Sequence, residues 1–281
     1  MDRQIALITG GTDGIGKTTA TELARKGFTV VLAARNKEKA ASVASEIVSV
    51  TGNRNVDHIT VDLGSLSQVY QLAQMFTARY GRLDVLINNA GILMPQRVIT
   101  EDGFERTFQV NYLAPFYLTQ LLAEALKDSP QGRLVNLTSS VYRIARFDPN
   151  NLQGERRFST LGSYASSKLM VLLFTLELAE RMKSTAMTVN AVHPGVVRTP
   201  MMLNAKGLFK VMSLVATPIA TSPEQGAATS VFVATAPELA ETSGQYFTNS
   251  RAKKVTSSAN TAENRILLWQ LSVEACQRTL L

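Results

Sequence analysis

Apolar residues return along this chain in two alternating rhythms, and the alternation predicts strands and helices in turn. Ile5 to Thr9 is a short apolar run bounded by glycines, and the following KTTATELARKG has helical spacing that ends at Gly27. FTVVLAAR reads as a second buried strand, NKEKAASVASEIVSVTG as a helix closed by Gly52, and VDHITVDL as a third strand. SLSQVYQLAQMFTARYG is a helix capped by Ser65, and LDVLINNAG is a fourth strand. A helix around Glu105 to Lys127, the strand GRLVNLTSS, a long helix from about Ser163 to Met182 and the strand MTVNAVHPG continue the series. After Pro200 the pattern loosens until SPEQGAATSVFVATA resumes a helix and GQYFTN forms a last short strand.

Near-continuous apolar strands separated by helices imply a parallel sheet covered on both faces. The expected fold is α/β: a single doubly wound Rossmann-type domain over residues 1–281, with no internal repeat or linker. At 281 residues and 45% hydrophobic, the chain can bury a full-sized core. Only 18% of residues are charged, against about 25% on average, so much of the surface is expected to be neutral, uncharged or hidden in subunit contacts, the last of which fits an oligomer.

The net charge of +7 comes from 29 basic and 22 acidic residues. The basic residues are scattered, the densest groups being Arg25-Lys26, Arg156-Arg157 and Lys253-Lys254. No basic stripe interleaved with aromatics occurs, which argues against a nucleic-acid partner. The single cysteine, Cys276, excludes an internal disulfide framework and fits a reducing cytoplasm. No signal peptide opens the sequence, and no segment reaches the roughly 18 apolar residues of a membrane span. A soluble cytoplasmic protein without stable membrane insertion is expected.

The loop TGGTDGIGKTTA satisfies two phosphate-binding patterns at once. Gly11 to Thr18 matches the G-x-x-x-x-G-K-[ST] loop of nucleoside triphosphate enzymes. Gly10, Gly14 and Gly16, with Thr12, Asp13 and Ile15 between them, also form a dinucleotide-binding turn. Both patterns need a strand, a glycine turn and a helix whose N-terminal amides face phosphate, so the loop alone does not separate them. In the first reading Lys17 grips phosphate and Asp62 holds magnesium; in the second Lys17 is an ordinary first-turn residue. The end of the second strand, Ala33-Ala34-Arg35, carries no carboxylate for ribose hydroxyls, and a guanidinium suits a 2′-phosphate.

In YASSK, Tyr164 and Lys168 lie one helical turn apart on the same face. A lysine cation beside a phenol favours the phenolate and lowers its pKa from about 10, making the tyrosine an acid or base near neutrality. His193, one of two histidines, has no companions at metal-ligand spacing; a structural hydrogen bond is expected for it, and no metal is expected anywhere.

Thr9-Gly10-x-x-x-Gly14-Ile15-Gly16, Asp62-Leu63, Asn88-Asn89-Ala90-Gly91, Asn111, Ser139-Ser140, Tyr164-x-x-x-Lys168 and Pro194-Gly195 stand in one order along the chain. In that order, and over nearly its whole length, the chain resembles the short-chain dehydrogenase/reductase family. The resemblance implies an oxidoreductase in which Tyr164 is the proton donor or acceptor. Lys168 lowers the tyrosine pKa and holds the nicotinamide ribose, Ser140 binds the substrate oxygen, and Asn111 supports a water that relays protons. It further implies a cofactor site of the glycine loop, Arg35, Asp62 and Leu63 at the adenine, Asn89, Ala90 and Gly91, Tyr164, Lys168, Pro194, Gly195, Val197, and Thr199 at the carboxamide.

Two positions depart from the common family pattern. The interval from Ser140 to Tyr164 is 24 residues, longer than the family's usual dozen or so, and Asp13 stands where a basic residue is frequent, which weighs against a 2′-phosphate. The long interval, together with AVHPGVVRT, SPEQGAATSVFVATAPEL and LLWQLS, resembles the branch of retinol dehydrogenases and related carbonyl reductases. Arg35 then implies NADP(H) in preference to NAD(H). The apolar segment at about 200–222 is expected to form a substrate lid over a hydrophobic ketone, aldehyde or secondary alcohol, with packing against the body or shallow membrane contact as its alternatives. The resemblance implies a homodimer or homotetramer formed through the Glu105–Lys127 and Ser163–Met182 helices. A cofactor-binding regulatory protein without catalysis, and a triphosphate hydrolase, remain as other readings.

Overall fold

Burial of the strands on both sides sets the architecture of the computed structural model, which describes residues 3–197 and 221–278. In β1 (Ile5–Thr9), Leu7 faces one apolar cluster while Ala6 and Ile8 face the other. The period-two alternation of a strand therefore feeds two cores instead of one core and solvent. The other strands are β2 (Thr29–Ala34), β3 (Val56–Thr60), β4 (Val85–Asn88), β5 (Arg133–Leu137), β6 (Thr188–His193), β7 (Tyr246–Thr248) and β8 (Arg251–Lys253). They form one sheet in the order β3-β2-β1-β4-β5-β6-β7-β8, parallel throughout except for the antiparallel pairing of β8 on β7. The strand order reverses between β1 and β4, which opens a crevice at the carboxyl ends of the strands.

Helices α1 (Gly14–Arg25) and α2 (Lys37–Thr51) pack on the cluster containing Ala6 and Ile8. Helix α3 (Leu66–Tyr80) packs on the opposite face. Side-chain caps mark where helices begin: Asn36 accepts from the Lys39 amide at 2.7 Å, and Ser65 accepts from Gln68. The single helix expected around Glu105 to Lys127 is instead α4 (Arg106–Phe108), a π-helical turn at Gln109–Leu113, α5 (Ala114–Leu121) and α6 (Ala123–Lys127). The fully buried Glu105 carboxylate accepts from the Thr107 and Phe108 amides and starts the series, and the π-turn carries Asn111. The long helix α7 (Thr160–Arg181) begins at its Ser159 cap, and α8 (Pro223–Thr235) begins at a capping box of Ser222 and Gln225.

The strand β8 and a terminal helix, α9 (Ala262–Arg278), go beyond the expected elements. The buried stripe of α9 is Leu268, Ser272 and Cys276, with Trp269, Val273 and Ala275 packed beside it, while the apolar Ile266 and Leu267 are exposed. Docking of α9 relies on specific contacts with the π-turn, α5 and α7. The Trp269 ring meets Phe116 edge-on at 5.1 Å, the Arg181 guanidinium stacks 4.1 Å from the Trp269 centroid, and the Ser272 and Tyr112 hydroxyls bond at 2.6 Å. Burial pushes the Cys276 thiol up to about 12, leaving it an inert core group. The rings of Phe116, Phe174 and Trp269 thus join α5, α7 and α9 in one cluster.

Replacing Trp269 with alanine removes the rings' contact and the cation stack together. Thermal unfolding of Trp269→Ala is expected to show a loss of about 3 kcal/mol, with most of it recovered in Trp269→Phe.

Candidate active site

At the sheet's reversal the loop after β1 and the loop after β4 are fastened to each other. The Thr9 hydroxyl accepts from the Asn89 and Ala90 amides, both at 3.1 Å, and the Asn89 side-chain amide donates to the Thr9 and Gly10 carbonyls at 2.9 and 3.1 Å. This closeness demands glycine: a Cβ on Gly16 would stand 2.2 Å from the Gly10 carbonyl oxygen and 2.4 Å from the Asn89 side-chain nitrogen. Gly10 itself has φ +66, in the left-handed region. Asp13 precedes α1 but its side chain caps none of the helix amides. The loop is therefore a tight backbone cradle with uncapped amides at a helix N-terminus, a form that fits a dinucleotide pyrophosphate.

Lys17 separates the two readings of this loop. Its ammonium turns away from the cradle and binds the Glu46 carboxylate of α2 at 2.7 Å, so it does not grip a phosphate held by the loop. Asp62 does not stand ready for a cation either: its carboxylate accepts from the Gly64 amide at 2.8 Å and faces the Arg106 guanidinium at 3.7 Å. Among the described residues, no group of acidic, histidine or cysteine side chains is arranged to hold a metal.

Helix α7 carries Tyr164 and Lys168 to the far side of the same crevice. The Thr138 hydroxyl at the end of β5 donates to the Lys168 carbonyl at 2.7 Å, and the Lys168 ammonium donates to the Leu137 carbonyl at 2.9 Å. These two bonds staple α7 to β5. The ammonium lies 5.7 Å from the centre of the Tyr164 ring. Burial decides both protonation states: it pushes the Tyr164 phenol up to about 12, against a smaller lowering by the Ser139 hydroxyl, and it pulls Lys168 down to about 8.

The serine that meets Tyr164 is Ser139, and this corrects the expectation for Ser140. Ser139 is the extended residue that ends the β5 segment and caps the 3₁₀ turn Ser140–Ile144, so its hydroxyl faces the phenol. Ser140 lines the same cleft one residue further on, inside that turn. Asn111 is fully buried behind the cleft wall. Its side chain clasps Ile92, accepting from the amide at 2.7 Å and donating to the carbonyl at 2.9 Å, and donates to the Ser167 hydroxyl of α7 at 3.0 Å.

One continuous cleft of about 690 Å³ joins these parts. Along it lie Gly10, Thr12, Asp13, Gly14, Ile15 and Gly16 of the loop, Arg35 after β2, and Asp62 and Leu63 after β3. Asn89, Ala90 and Gly91 after β4, Tyr164 and Lys168, and Pro194, Gly195 and Val197 after β6 complete the set. Thr199 and most of the 200–222 segment lie outside the described residues. The end of that segment is described: the Thr221 amide donates to the Val196 carbonyl at 2.8 Å, and Ser222 caps α8.

Several lining residues went unread in the sequence. Ile92, Val141, Leu161 and Val196 make an apolar wall, and Arg106 stands near Asp62. Their only sequence signal is position next to a motif. His193 also lines the cleft, and its Nδ1 is buried without a hydrogen-bond partner. Burial and the neighbouring Arg143 push the imidazole down to about 4, so it is neutral.

Comparison with known proteins agrees with this geometry. Residues 4–211 match the short chain dehydrogenase family. The chain belongs to that family. It is 41% identical to mouse retinol dehydrogenase 12 over 96% of this chain and 85% of that protein. To human polyprenol dehydrogenase it is 37% identical over 98% of this chain and 85% of the relative. Among solved structures, a Mycobacterium paratuberculosis protein superposes with TM-score 0.79 at 29% identity, covering 98% of this chain and 93% of the other. A short chain dehydrogenase of Escherichia coli CFT073, solved with NADPH, superposes with TM-score 0.69 at 29% identity, covering 89% of this chain and 98% of the other.

In this short-chain dehydrogenase the cradle and the misdirected lysine give opposite expectations. Gly16→Ala drives a methyl group into the Gly10 carbonyl and is expected to weaken NADPH binding at least about tenfold in a fluorescence titration. Lys17→Ala is expected to leave it within about twofold; an equal loss in both variants would return Lys17 to the phosphate site.

Proposed function

We propose that this short-chain dehydrogenase is an NADP(H)-dependent oxidoreductase of apolar ketones, aldehydes or secondary alcohols, with Tyr164 as general acid/base. Family membership makes it an oxidoreductase of CH–OH and C=O groups. The observation that carries the finer reading is the convergence of the Tyr164 phenol, the Ser139 hydroxyl and the Lys168 ammonium on one end of a cleft whose other end presents Arg35. Of the two carboxylates at that end, Asp13 is paired with Lys39 and Asp62 faces the Arg106 guanidinium, and no described carboxylate is paired with Arg35.

A nicotinamide ring supplies or takes up hydride when it is bound. The glycine loop and the α1 amides would hold its pyrophosphate, and Arg35 a 2′-phosphate. As a substrate carbonyl becomes an alkoxide, negative charge develops on its oxygen, and Ser139 and Tyr164 are the two donors aimed there. With a phenol pushed up to about 12, Tyr164 holds its proton at neutral pH and gives it to the oxygen, completing the alcohol. The Lys168 cation stabilises the phenolate left behind. In the reverse direction the same phenolate takes the alcohol proton. Asn111 keeps the Ile92 backbone and α7 in register, the setting for the relay water assigned to it. Ile92, Val141, Leu161 and Val196 exclude water and receive an apolar substrate. The names of the retinol and polyprenol dehydrogenases point to alcohols of that character.

Tyr164→Phe is expected to lose at least about a hundredfold in kcat while keeping NADPH affinity; full turnover would overturn the mechanism and leave the non-catalytic reading. Ser139→Ala is expected to cost more in kcat than Ser140→Ala. Arg35→Asp is expected to move preference from NADPH toward NADH, and an unchanged ratio would refute the phosphate assignment.

The pH profile follows from Lys168. Its ammonium loses its proton as pH rises through about 8, so kcat/KM is expected to fall above that point. Lys168→Arg, charged throughout, is expected to remove the inflection; a wild-type profile flat to about pH 10 would contradict the assignment.

A further inference from the structure

The adenosine end of the cleft carries an unusual charge arrangement. Arg35 and Asp13 both line it, and they have opposite sign. Asp13 spends its carboxylate on neither of its usual tasks: it caps no amide of α1, and it pairs across the gap with the Lys39 ammonium. Lys39 stands in the first turn of α2, its backbone pinned by the Asn36 cap, and does not itself line the cleft. Both side chains of the pair are about half exposed, so the contact is open to exchange with a ligand.

A free carboxylate at Asp13 would do two things at this end of the cleft. It would repel the dianion of a 2′-phosphate, and it would accept from a ribose hydroxyl. Pairing with Lys39 suppresses both. We propose that the Asp13–Lys39 ion pair is the element that sets cofactor preference in this site: Lys39 masks Asp13, and the net charge facing the ribose is left to Arg35. The inference rests on the assignment of Arg35 to a 2′-phosphate.

Because the partners act with opposite sign, their removal shifts preference in opposite directions. Lys39→Gln unmasks the carboxylate and is expected to raise the NADPH dissociation constant relative to that of NADH about three- to tenfold. Asp13→Asn releases Lys39 to act beside Arg35 and is expected to lower the same ratio by a similar factor. Lys39→Arg is expected to stay near wild type. Both constants are read by fluorescence titration of the full chain with NADPH and with NADH, and thermal melting checks that each variant is folded.

Opposite shifts in the ratio establish the switch. A pair that merely ties the glycine loop to α2 would weaken both cofactors equally in both variants, and that result overturns the proposal. If Arg35→Asp changes the ratio while neither Lys39→Gln nor Asp13→Asn does, the ion-pair inference alone falls. If Arg35→Asp leaves the ratio unchanged, the 2′-phosphate reading falls first.

Discussion

The clasp between the β1 and β4 loops is the constraint on which the functional half of the molecule depends. A parallel sheet whose order reverses leaves backbone groups facing each other across the crevice, and buried groups of this kind must be paired. Thr9 and Asn89 pair them from opposite sides. The clasp brings the loops so close that only hydrogen fits at position 16. The same closeness leaves the first amides of α1 uncovered and directed at whatever lies in the crevice. Fold stability and ligand cradle are thus one arrangement, and a side chain at Gly16 would disturb both.

A second staple acts on the opposite wall. Thr138 and Lys168 join β5 to α7 through two bonds of opposite direction, hydroxyl to carbonyl and ammonium to carbonyl. This holds a cation inside the protein beside a phenol, in surroundings that favour neutral forms of each. In the proposed mechanism that conflict poises the pair: the phenol keeps its proton until an oxygen arrives that needs it, and the lysine sits within reach of the pH range where its charge is lost. Behind α7, the terminal helix α9 packs Trp269 against Phe174 and Phe116 and bonds Ser272 to Tyr112, so α7 is supported from both sides.

Strand and helix identity, the parallel two-layered cover, and the motifs that line the cleft were legible because local periodicity and glycine spacing record burial directly. The broken helix at Gln109–Leu113 was not, since a π-turn has the same residue preferences as the α-helix around it. Helix α9 escaped for a different reason: its buried stripe includes Ser272, while the apolar Ile266 and Leu267 face outward and blur the periodicity of Leu268, Trp269, Val273 and Cys276.

The sequence by itself determined the family, the α/β architecture and the residues that gather at the carboxyl edge of the sheet, because each is written in short-range patterns with a local physical cause. Tertiary structure alone decided where shared or ambiguous side chains point. Lys17 fits a phosphate loop until Glu46 is seen beside it, and Ser139 and Ser140 are equivalent until the turn after β5 aims one of them at Tyr164. Orientation depends on partners distant in sequence, and burial, which pushed the tyrosine and lysine toward neutrality, is a property of the whole fold.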